Sequence, residues 1–287
     1  MKKINVLSLF DGISCGHIAL DKSGIPVDKY YASEIDKYAI QVTNKNYPDT
    51  INLGDVTKVN GEELDSIDLL IGGSPCQGFS QAGKMKNFED PRSRLFWEYV
   101  RILREVKPKY FLLENVAMKK EWQDIISEAL GVEPIMIDSS LTSAATRKRL
   151  YWTNIPNISQ PQDLHINFGD IRERNVPNGS IYYTDKAMDW IRRHEKRTGK
   201  VLRIIRDNDK MQMLEASMHK KYSSQRFFGI EDIHGLRYIT VTEGERCMNV
   251  PDGYTDCCSN TQRYKQLGNG WEINTISHIF NGLKSVL

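Results

Sequence analysis

The chain has 287 residues, which is enough for one large domain or for one domain and a smaller one. A chain of this length can bury a hydrophobic core that needs no disulfides or structural metal ions. Hydrophobic residues make up 40% and charged residues 26%, and no apolar run approaches the roughly 20 residues that a membrane span needs. The net charge of +2 is too small to indicate a nucleic-acid binder, so any such function must depend on local patches.

The cysteines and the first residues bound the chemistry further. Five cysteines without a Cys-x-x-Cys pair argue against a disulfide framework and against a zinc site, so we expect reduced thiols and no metal. Because no signal-peptide core follows Met1, we expect a protein that is cytoplasmic or located wherever its substrate is.

The first predicted strand, residues 5–10, leads into a glycine-containing turn and then an amphipathic helix that runs to Leu20. A strand, a glycine turn and a helix in this order bring backbone N–H groups and a helix N-terminus close to a bound cofactor. The signal is weak alone, because every doubly wound α/β protein has a first turn of this kind.

Acidic residues follow the first three predicted strands. Asp11 follows the first strand, Glu34 the second, and Asp55 the short strand at residues 51–53. This regularity favours a nucleoside-containing cofactor, because a carboxylate can accept hydrogen bonds from ribose hydroxyls. A structural salt bridge explains Glu34 nearly as well. The third glycine of a dinucleotide fingerprint and a P-loop lysine are both missing from the sequence.

A cysteine stands in the turn after the next predicted strand, residues 68–71. The segment Gly72-Gly73-Ser74-Pro75 predicts a sharp turn that presents Cys76 at the carboxyl end of that strand, where α/β sheets bind ligands. On this segment alone, a buried structural cysteine is an equally good interpretation. The polar residues 81–90 then predict a mobile loop near the site.

Two further charged positions are predicted next to strands. A helix over 94–106 leads to an apolar strand over 110–113 that ends at Glu114, where partial desolvation favours a role as proton donor. After a helix over 122–130 and a strand over 134–137, Arg147 and Arg149 precede an aromatic strand. These arginines form either a solvated basic turn or an anchor for an anionic or carbonyl-bearing substrate.

The amino-acid composition changes after Ile155, where Asn, Pro, Gly and Asp become frequent, so we predict a domain boundary there. Up to about Gly235, basic residues alternate with aromatic ones, which suits a surface that contacts phosphates. The predicted helix over 186–200 could equally be a solvated face. The chain ends in an amphipathic helix over 271–283, introduced by residues 266–270.

Taken in order, these segments resemble the motifs of the DNA (cytosine-5) methyltransferases over nearly the whole chain. The matching segments are Phe10-Asp11-Gly12 with Gly16, Glu34, Gly54-Asp55-Val56, Pro75-Cys76-Gln77, Glu114-Asn115-Val116, Arg147-Lys148-Arg149, Thr240 to Arg246 and Leu267-Gly268-Asn269. Ala145 stands where the family usually has Gln, and both this run and the tail from Thr240 are most similar to the eukaryotic de novo methyltransferases.

The resemblance implies an α/β fold with the Rossmann-like sheet of S-adenosylmethionine-dependent methyltransferases. It also implies a catalytic domain of residues 1–154 plus 262–287 and a small target-recognition domain of residues 155–261. Cys76 would be the nucleophile that adds to carbon 6 of the cytosine. Glu114 would bond the N3 side of the ring and supply a proton, while Arg147 and Arg149 would hold the carbonyl and a phosphate.

The implied cofactor is S-adenosylmethionine. The residues implied to bind it are Phe10, Asp11, Gly12, Gly16, Glu34, Ile35, Asp55, Val56, Asn269 and Trp271. Glu34 would bind the ribose, and Ile35, Asp55 and Val56 would contact the adenine.

The implied substrate is double-stranded DNA with a flipped-out cytosine. A tRNA cytosine methyltransferase of the same fold and a DNA-binding pseudoenzyme are the alternatives, and the retained catalytic motifs count against the second. A cognate restriction endonuclease and the oligomeric state stay open, and no membrane partner is expected.

Overall fold

A computed structural model describes residues 2–74, 94–179, 181–220 and 227–287. The chain forms two compact units, one of Met1–Ser139, Lys148–Gln162 and Ile273–Leu287, the other of Ser140–Arg147 and Asp163–Glu272. These limits differ from the predicted boundaries near 155 and 262. Residues 140–147 join the second unit because Met211 N donates to Ala144 O (2.7 Å) and Thr146 N donates to Met211 O (2.9 Å). The assignment of a catalytic and a target-recognition domain stays a prediction.

The described part of the chain contains ten strands and nine α-helices. The strands are β1 (Ile4–Leu9), β2 (Val27–Ser33), β3 (Ile51–Asn52), β4 (Leu69–Gly72), β5 (Tyr110–Val116), β6 (Ile135–Asp138), β7 (Lys148–Thr153), β8 (Arg203–Ile204), β9 (Phe228–Asp232) and β10 (Gly235–Arg237). The helices are α1 (Cys15–Ser23), α2 (Lys37–Asn46), α3 (Arg94–Val106), α4 (Lys120–Leu130), α5 (Phe168–Ile171), α6 (Asp185–Thr198), α7 (Val241–Cys247), α8 (Asn260–Asn269) and α9 (Ile273–Phe280).

The first unit is built on a seven-stranded sheet in the order β3-β2-β1-β4-β5-β7-β6. Its strand pairs are parallel except that β7 runs antiparallel to both β5 and β6. Strands β1 and β4 are mostly apolar and almost entirely buried, as is typical of a parallel sheet that is covered on both faces. The predicted α/β fold is confirmed. The order reverses between β1 and β4, which is where sheets of this type bind ligands.

The helices of the first unit bury one apolar face each. In α3 that face includes Phe96, Tyr99 and Val100, which are at most 1% exposed and pack into the core that covers the sheet. The limits of α3 agree with the predicted helix over 94–106. Helix α1 packs against α9, and the hydroxyls of Ser23 and Ser277 lie 2.7 Å apart.

Three local predictions were wrong. Glu114 lies inside β5 and Arg149 inside β7, because the two side chains pair with each other and so satisfy their charges within the sheet. Residues 266–269 belong to helix α8 rather than to a connecting segment.

The second unit contains a three-stranded sheet in the order β10-β9-β8 and helices α5 to α8. A fully buried arginine, Arg237, pairs with Asp232 at 2.6 Å and with Glu243 at 2.7 Å. Glu243 also closes a capping box with Thr240 at the start of α7. One carboxylate therefore fixes a helix start and neutralises a buried cation.

No helix of the described residues combines the length and the apolar character that crossing a bilayer requires.

Candidate active site

The turn after β1 holds an unusual backbone. Phe10, Gly12 and Ser14 have φ angles of 58°, 61° and 57°, which lie in the left-handed region. Each non-glycine residue held there costs on the order of 1 to 3 kcal/mol and persists only where its surroundings fix it, as they do at functional sites. Ser14 is fixed by its hydroxyl, which donates to Asp11 Oδ2 at 2.5 Å and lies 3.0 Å from Thr43 Oγ1.

Asp11 sits in this turn with its carboxylate surrounded by protein groups. Burial raises the pKa of Asp11 to about 6, although hydrogen bonds from Ser14, Ser8 and Tyr30 oppose the rise, and repulsion from Glu34 adds to it. The Tyr30 hydroxyl donates to Asp11 Oδ1 at 2.8 Å. A carboxylate of this kind is electrostatically unsatisfied and favours a cationic ligand.

Glu34 joins the turn after β1 to the end of β2. Its Oε2 accepts a hydrogen bond from Gly12 N at 2.8 Å, and its Oε1 accepts from Ile35 N at 2.7 Å and from Asp36 N at 2.8 Å. Carboxylate oxygens keep further lone pairs for outside donors such as ribose hydroxyls. The adjacent Ile35 is 74% exposed, which leaves a large apolar side chain beside the carboxylate. This donor and acceptor set fits a nucleoside.

Asp55 occupies the corresponding position after β3. Hydrogen bonds from Thr57 lower the pKa of its exposed carboxyl, which accepts from Thr57 N at 3.0 Å and from Thr57 Oγ1 at 2.9 Å. Val56 is buried, and Ser33 Oγ at the end of β2 donates to Gly54 O at 2.8 Å. The three acidic turns therefore follow three adjacent parallel strands at one edge of the sheet.

A buried ion pair links β5 and β7. Arg149 Nε lies 2.7 Å from Glu114 Oε1, and both side chains are about one tenth exposed. In the antiparallel register Glu114 is opposite Tyr151, so Arg149 is its diagonal neighbour on the same face of the sheet. A second donor of the guanidinium, Nη1, bonds the carbonyl of Lys148 at 2.8 Å. The sheet thus presents a carboxylate and a guanidinium in a fixed relation.

The other face of β5 anchors the chain that leaves β4. Asn115 Nδ2 donates to Ser74 Oγ at 3.2 Å and lies 3.4 Å from Ser74 O, and both residues are buried. The predicted nucleophile Cys76 and the predicted loop 81–90 follow Ser74 and lie outside the described residues.

Arg147, Asn269 and Trp271 belong to the second unit. Arg147 is 5% exposed, and its guanidinium donates to Gly270 O at 2.8 Å, to Leu214 O at 3.3 Å and to Gly268 O at 3.4 Å. Asn269 is exposed and Trp271 is half-buried at the end of α8. Arg147 therefore holds the turn that carries the two predicted cofactor residues.

Two side chains at the site escaped the sequence analysis. Ser14 could have been found, because a serine three residues after an aspartate in a glycine turn is a common local partner. Tyr30 could not, because its contact with Asp11 depends on how β2 is aligned beside β1.

A family model described as C-5 cytosine-specific DNA methylase matches residues 4–285. The chain is 30% identical to the type II methyltransferase M1.ScrFI of Lactococcus lactis subsp. cremoris over 313 residues, which covers 99% of this chain and 79% of that protein. It is 27% identical to the type II methyltransferase M.HpaII of Haemophilus parainfluenzae, covering 96% of this chain and 87% of that protein.

Solved structures with the same fold include Dnmt2 of S. pombe, with a TM-score of 0.79, 20% identity and 99% of both chains covered. The Entamoeba histolytica methyltransferase EhMeth gives a TM-score of 0.82 at 18% identity over the whole of both chains. At these identities the likeness shows the fold alone, and it agrees with the predicted methyltransferase sheet. Since the family model spans nearly all of the sequence, the chain belongs to the C-5 cytosine-specific DNA methylase family.

Proposed function

We propose that the protein moves a methyl group from S-adenosylmethionine to carbon 5 of a cytosine in duplex DNA. The observation that carries the proposal is the buried Glu114–Arg149 pair on β5 and β7 in a chain of this family. Next to it, Asn115 anchors the chain at Ser74, two residues before the proposed nucleophile Cys76.

The cytosine chemistry assigns one task to each polar side chain. Carbon 5 becomes nucleophilic when the Cys76 thiolate adds to carbon 6. Glu114 donates a proton toward N3 and so removes the negative charge that develops on the ring. Arg149 is held by Glu114 and would bond the cytosine carbonyl, with Arg147 as a second proposed arginine. After carbon 5 has accepted the methyl group, a base would take the proton from carbon 5, the thiolate would leave carbon 6, and N3 would return its proton to Glu114.

The cofactor residues of the proposal are the three acidic turns and their neighbours. When bound, S-adenosylmethionine supplies an electrophilic methyl group. Glu34 would accept hydrogen bonds from the ribose hydroxyls, and the exposed apolar side chain of Ile35 would contact the adenine. Asp11 faces the cationic part of the ligand. The remaining proposed contacts are those of Phe10, Gly12, Gly16, Asp55, Val56, Asn269 and Trp271.

The DNA side of the proposal uses the second unit. Helix α6 and the residue after its cap carry exposed cations, namely Arg192, Arg193, Lys196, Arg197 and Lys200. Cations on an exposed helix suit contacts to phosphates, which position the duplex without reading its sequence. The target cytosine must leave the stack, at a cost of a few kcal/mol, before Cys76 can reach it.

The deciding experiment is a transfer assay with methyl-labelled S-adenosylmethionine and either duplex DNA or tRNA. We expect label in the DNA with the wild type and none with Cys76→Ala. Label in tRNA instead would support the alternative substrate. Label in neither nucleic acid would support a DNA-binding pseudoenzyme, and transfer by Cys76→Ala would overturn the role of the cysteine.

Two relatives are named type II methyltransferases, so the proposal includes a partner restriction endonuclease that recognises the same DNA sequence. It also includes a cytoplasmic location. Bisulfite sequencing of DNA exposed to the protein gives the methylated sequence. A nuclease whose cleavage is blocked by that methylation is the expected partner, and unblocked cleavage excludes it.

A further inference from the structure

Three aromatic rings from α1, β2 and the end of α2 stack beside the turn after β1. The imidazole of His17 lies between the rings of Tyr30 and Tyr47, with centroid distances of 4.3 and 3.8 Å. The planes differ by 13° and 11°, so the three rings are nearly parallel. The imidazole is thus held on both faces, and each tyrosine has one face packed flat against it.

The two tyrosine hydroxyls of this stack bond different carboxylates. Tyr30 OH donates to Asp11 Oδ1 at 2.8 Å, inside the proposed cofactor turn. Tyr47 OH donates to Asp21 Oδ2 at 2.7 Å, on the exposed side of α1. The stack therefore has one hydroxyl directed at the site and a second, otherwise similar hydroxyl directed away from it.

His17 contributes a ring rather than a hydrogen bond. Burial lowers the pKa of His17, and the nearby Asp21 only partly opposes this, so the imidazole is neutral at physiological pH. Its Nδ1 is buried, and no described residue offers it a hydrogen-bond partner. What His17 provides is the flat surface against which Tyr30 packs.

Space for the Tyr30 hydroxyl depends on Gly16. A Cβ at Gly16 would lie 2.3 Å from Ile71 Cδ1 and 3.1 Å from the Tyr30 hydroxyl oxygen. Any larger residue would therefore displace the Ile71 side chain or the Tyr30 hydroxyl. The start of α1 is thus shaped so that the hydroxyl can reach Asp11.

We infer that Tyr30 is a positioning residue for cofactor binding: its hydroxyl fixes the orientation of the Asp11 carboxylate, and the His17 ring fixes Tyr30. The inference rests on the proposed function, in which Asp11 faces the cationic part of S-adenosylmethionine. The oriented carboxylate gains most from a cation because Glu34 lies near it and repels it.

The charged form of Asp11 depends on the groups around it. It receives hydrogen bonds from Ser14, Ser8 and Tyr30 and faces Glu34 at the end of β2. Near the stack the other titratable groups are Asp21 and Cys15. Removing the Tyr30 hydroxyl takes a hydrogen-bond donor from the charged carboxylate, so the pKa of Asp11 rises further. Asp11 then stays protonated up to a higher pH, and over that pH range it binds a cation more weakly.

The test compares Tyr30→Phe with Tyr47→Phe, since each variant removes one hydroxyl from the same stack. Calorimetric titration with S-adenosylmethionine at pH 5.5 to 8.5 should show that Tyr30→Phe binds about 3- to 10-fold more weakly at pH 7. The pH at which binding falls on the acid side should also rise. Tyr47→Phe should stay within about twofold of the wild type at every pH, since its hydroxyl bonds an exposed carboxylate.

A second measurement needs no ligand. Carboxyl ¹³C NMR of the cofactor-free protein should show a higher titration midpoint for Asp11 in Tyr30→Phe than in the wild type, and no change in Tyr47→Phe. His17→Phe should keep wild-type binding because the ring is retained, whereas His17→Ala should resemble Tyr30→Phe.

The outcomes separate the inference from the function on which it rests. If the wild type does not bind S-adenosylmethionine, the proposed function is wrong and the inference is wrong with it. If the wild type binds but the two tyrosine variants weaken binding equally, or the Asp11 midpoint does not move in Tyr30→Phe, only the inference is wrong.

Discussion

At the scale of single residues, the charged groups of the first unit are arranged in two ways. Glu114 and Arg149 are buried together and neutralise each other across two strands. Among the described residues no cation pairs with Asp11, which instead accepts hydroxyl hydrogen bonds while burial raises its pKa to about 6. The first arrangement holds a carboxylate in a fixed position, where the proposed function has it meet the cytosine ring. The second leaves a buried carboxylate whose charge a cationic ligand would stabilise.

Replacing Glu114 should affect chemistry more than binding. Glu114→Gln keeps the shape of the side chain but removes the proton donor and the partner of Arg149, so turnover on duplex DNA should fall about 10²- to 10⁴-fold. Single-turnover methyl transfer measures this, with Glu121→Gln on the exposed face of α4 as the control. Turnover within tenfold of the wild type would remove Glu114 from the proposed proton transfer.

Replacing Asp11 should change stability in a pH-dependent way. The pKa of Asp11 is about 6 in the folded state and 3.8 ordinarily, so protonation of Asp11 stabilises the fold. This contribution is complete below about pH 4 and is lost as the pH rises through 6. Asp11→Asn stays neutral, so relative to the wild type it should gain up to about 3 kcal/mol between pH 4 and pH 7.5.

Denaturant unfolding of both proteins without cofactor at pH 4.5 and pH 7.5 gives this difference. The missing acceptor for Ser14 or Tyr30 adds a constant penalty that cancels in the comparison. A stability difference between the two proteins that is the same at both pH values would show that folding does not raise the pKa of Asp11.

Sequence reasoning could propose candidate site residues, but it missed most of the tertiary contacts that hold them in place. Glu34 and Asp55 were predicted from their places after strands, and the structure has them at those strand ends. The bond from Tyr30 to Asp11 was beyond reach, because it needs the register of β2 on β1 and the stacking of His17. Contacts made through tertiary packing leave no periodic trace in the sequence.

At the scale of elements, the errors have a common cause. The predicted strand over 110–113 continues to Val116, because Glu114 and Asn115 find partners on Arg149 and Ser74. Polar residues usually indicate a strand end, and here they do not, since the neighbouring strand supplies their partners. Helix α8 was missed for a related reason: Gly268 and Gly270 indicate a loop unless the close packing around them is known.

Gly268 provides a test of that packing. A Cβ there would lie 2.1 Å from the carbonyl carbon of Glu215 and 2.2 Å from Ala216 N, and backbone atoms yield little. Gly268→Ala should therefore cost about 1 to 3 kcal/mol of stability, despite the better helix propensity of alanine. Chemical denaturation followed by circular dichroism measures the loss.

The matched control for this variant is Gly244→Ala in α7. A Cβ at Gly244 would meet only the end of the Leu267 side chain, at 3.2 Å, so stability should be unchanged or slightly higher. Equal effects of the two substitutions would mean that the packing at Gly268 can relax.

At the scale of the whole molecule, the small net charge of +2 hides an uneven distribution. Exposed cations concentrate on α6 and just beyond it, while buried arginines such as Arg237 are neutralised inside the second unit. Of these two groups, the exposed cations are the ones that can contact phosphates and so release the counterions that DNA holds. Overall composition therefore gave no indication of the proposed nucleic-acid surface, whereas the local pattern did.

Neutralising part of that surface should change the salt dependence of DNA binding. For Lys196→Gln with Lys200→Gln, the slope of log affinity against log salt should shrink by about 0.9 for each DNA phosphate that the variant no longer neutralises. Fluorescence anisotropy at several salt concentrations measures it, and transfer at saturating DNA should persist. Lys2→Gln with Lys3→Gln removes the same charge from the first unit as a control, and an equal change there would argue against α6.

The order in which the chain supplies its elements has a consequence for biosynthesis. Helix α9 packs on α1, joined by the contact between Ser277 and Ser23, 254 positions apart. A ribosome therefore releases every residue of the second unit before the first unit receives its last helix. Closing so long a loop is slow, so nascent chains should expose the incomplete face of α1 throughout most of translation. Chaperone demand should accordingly depend on when Ile273–Leu287 leaves the ribosome and can pack on the first unit.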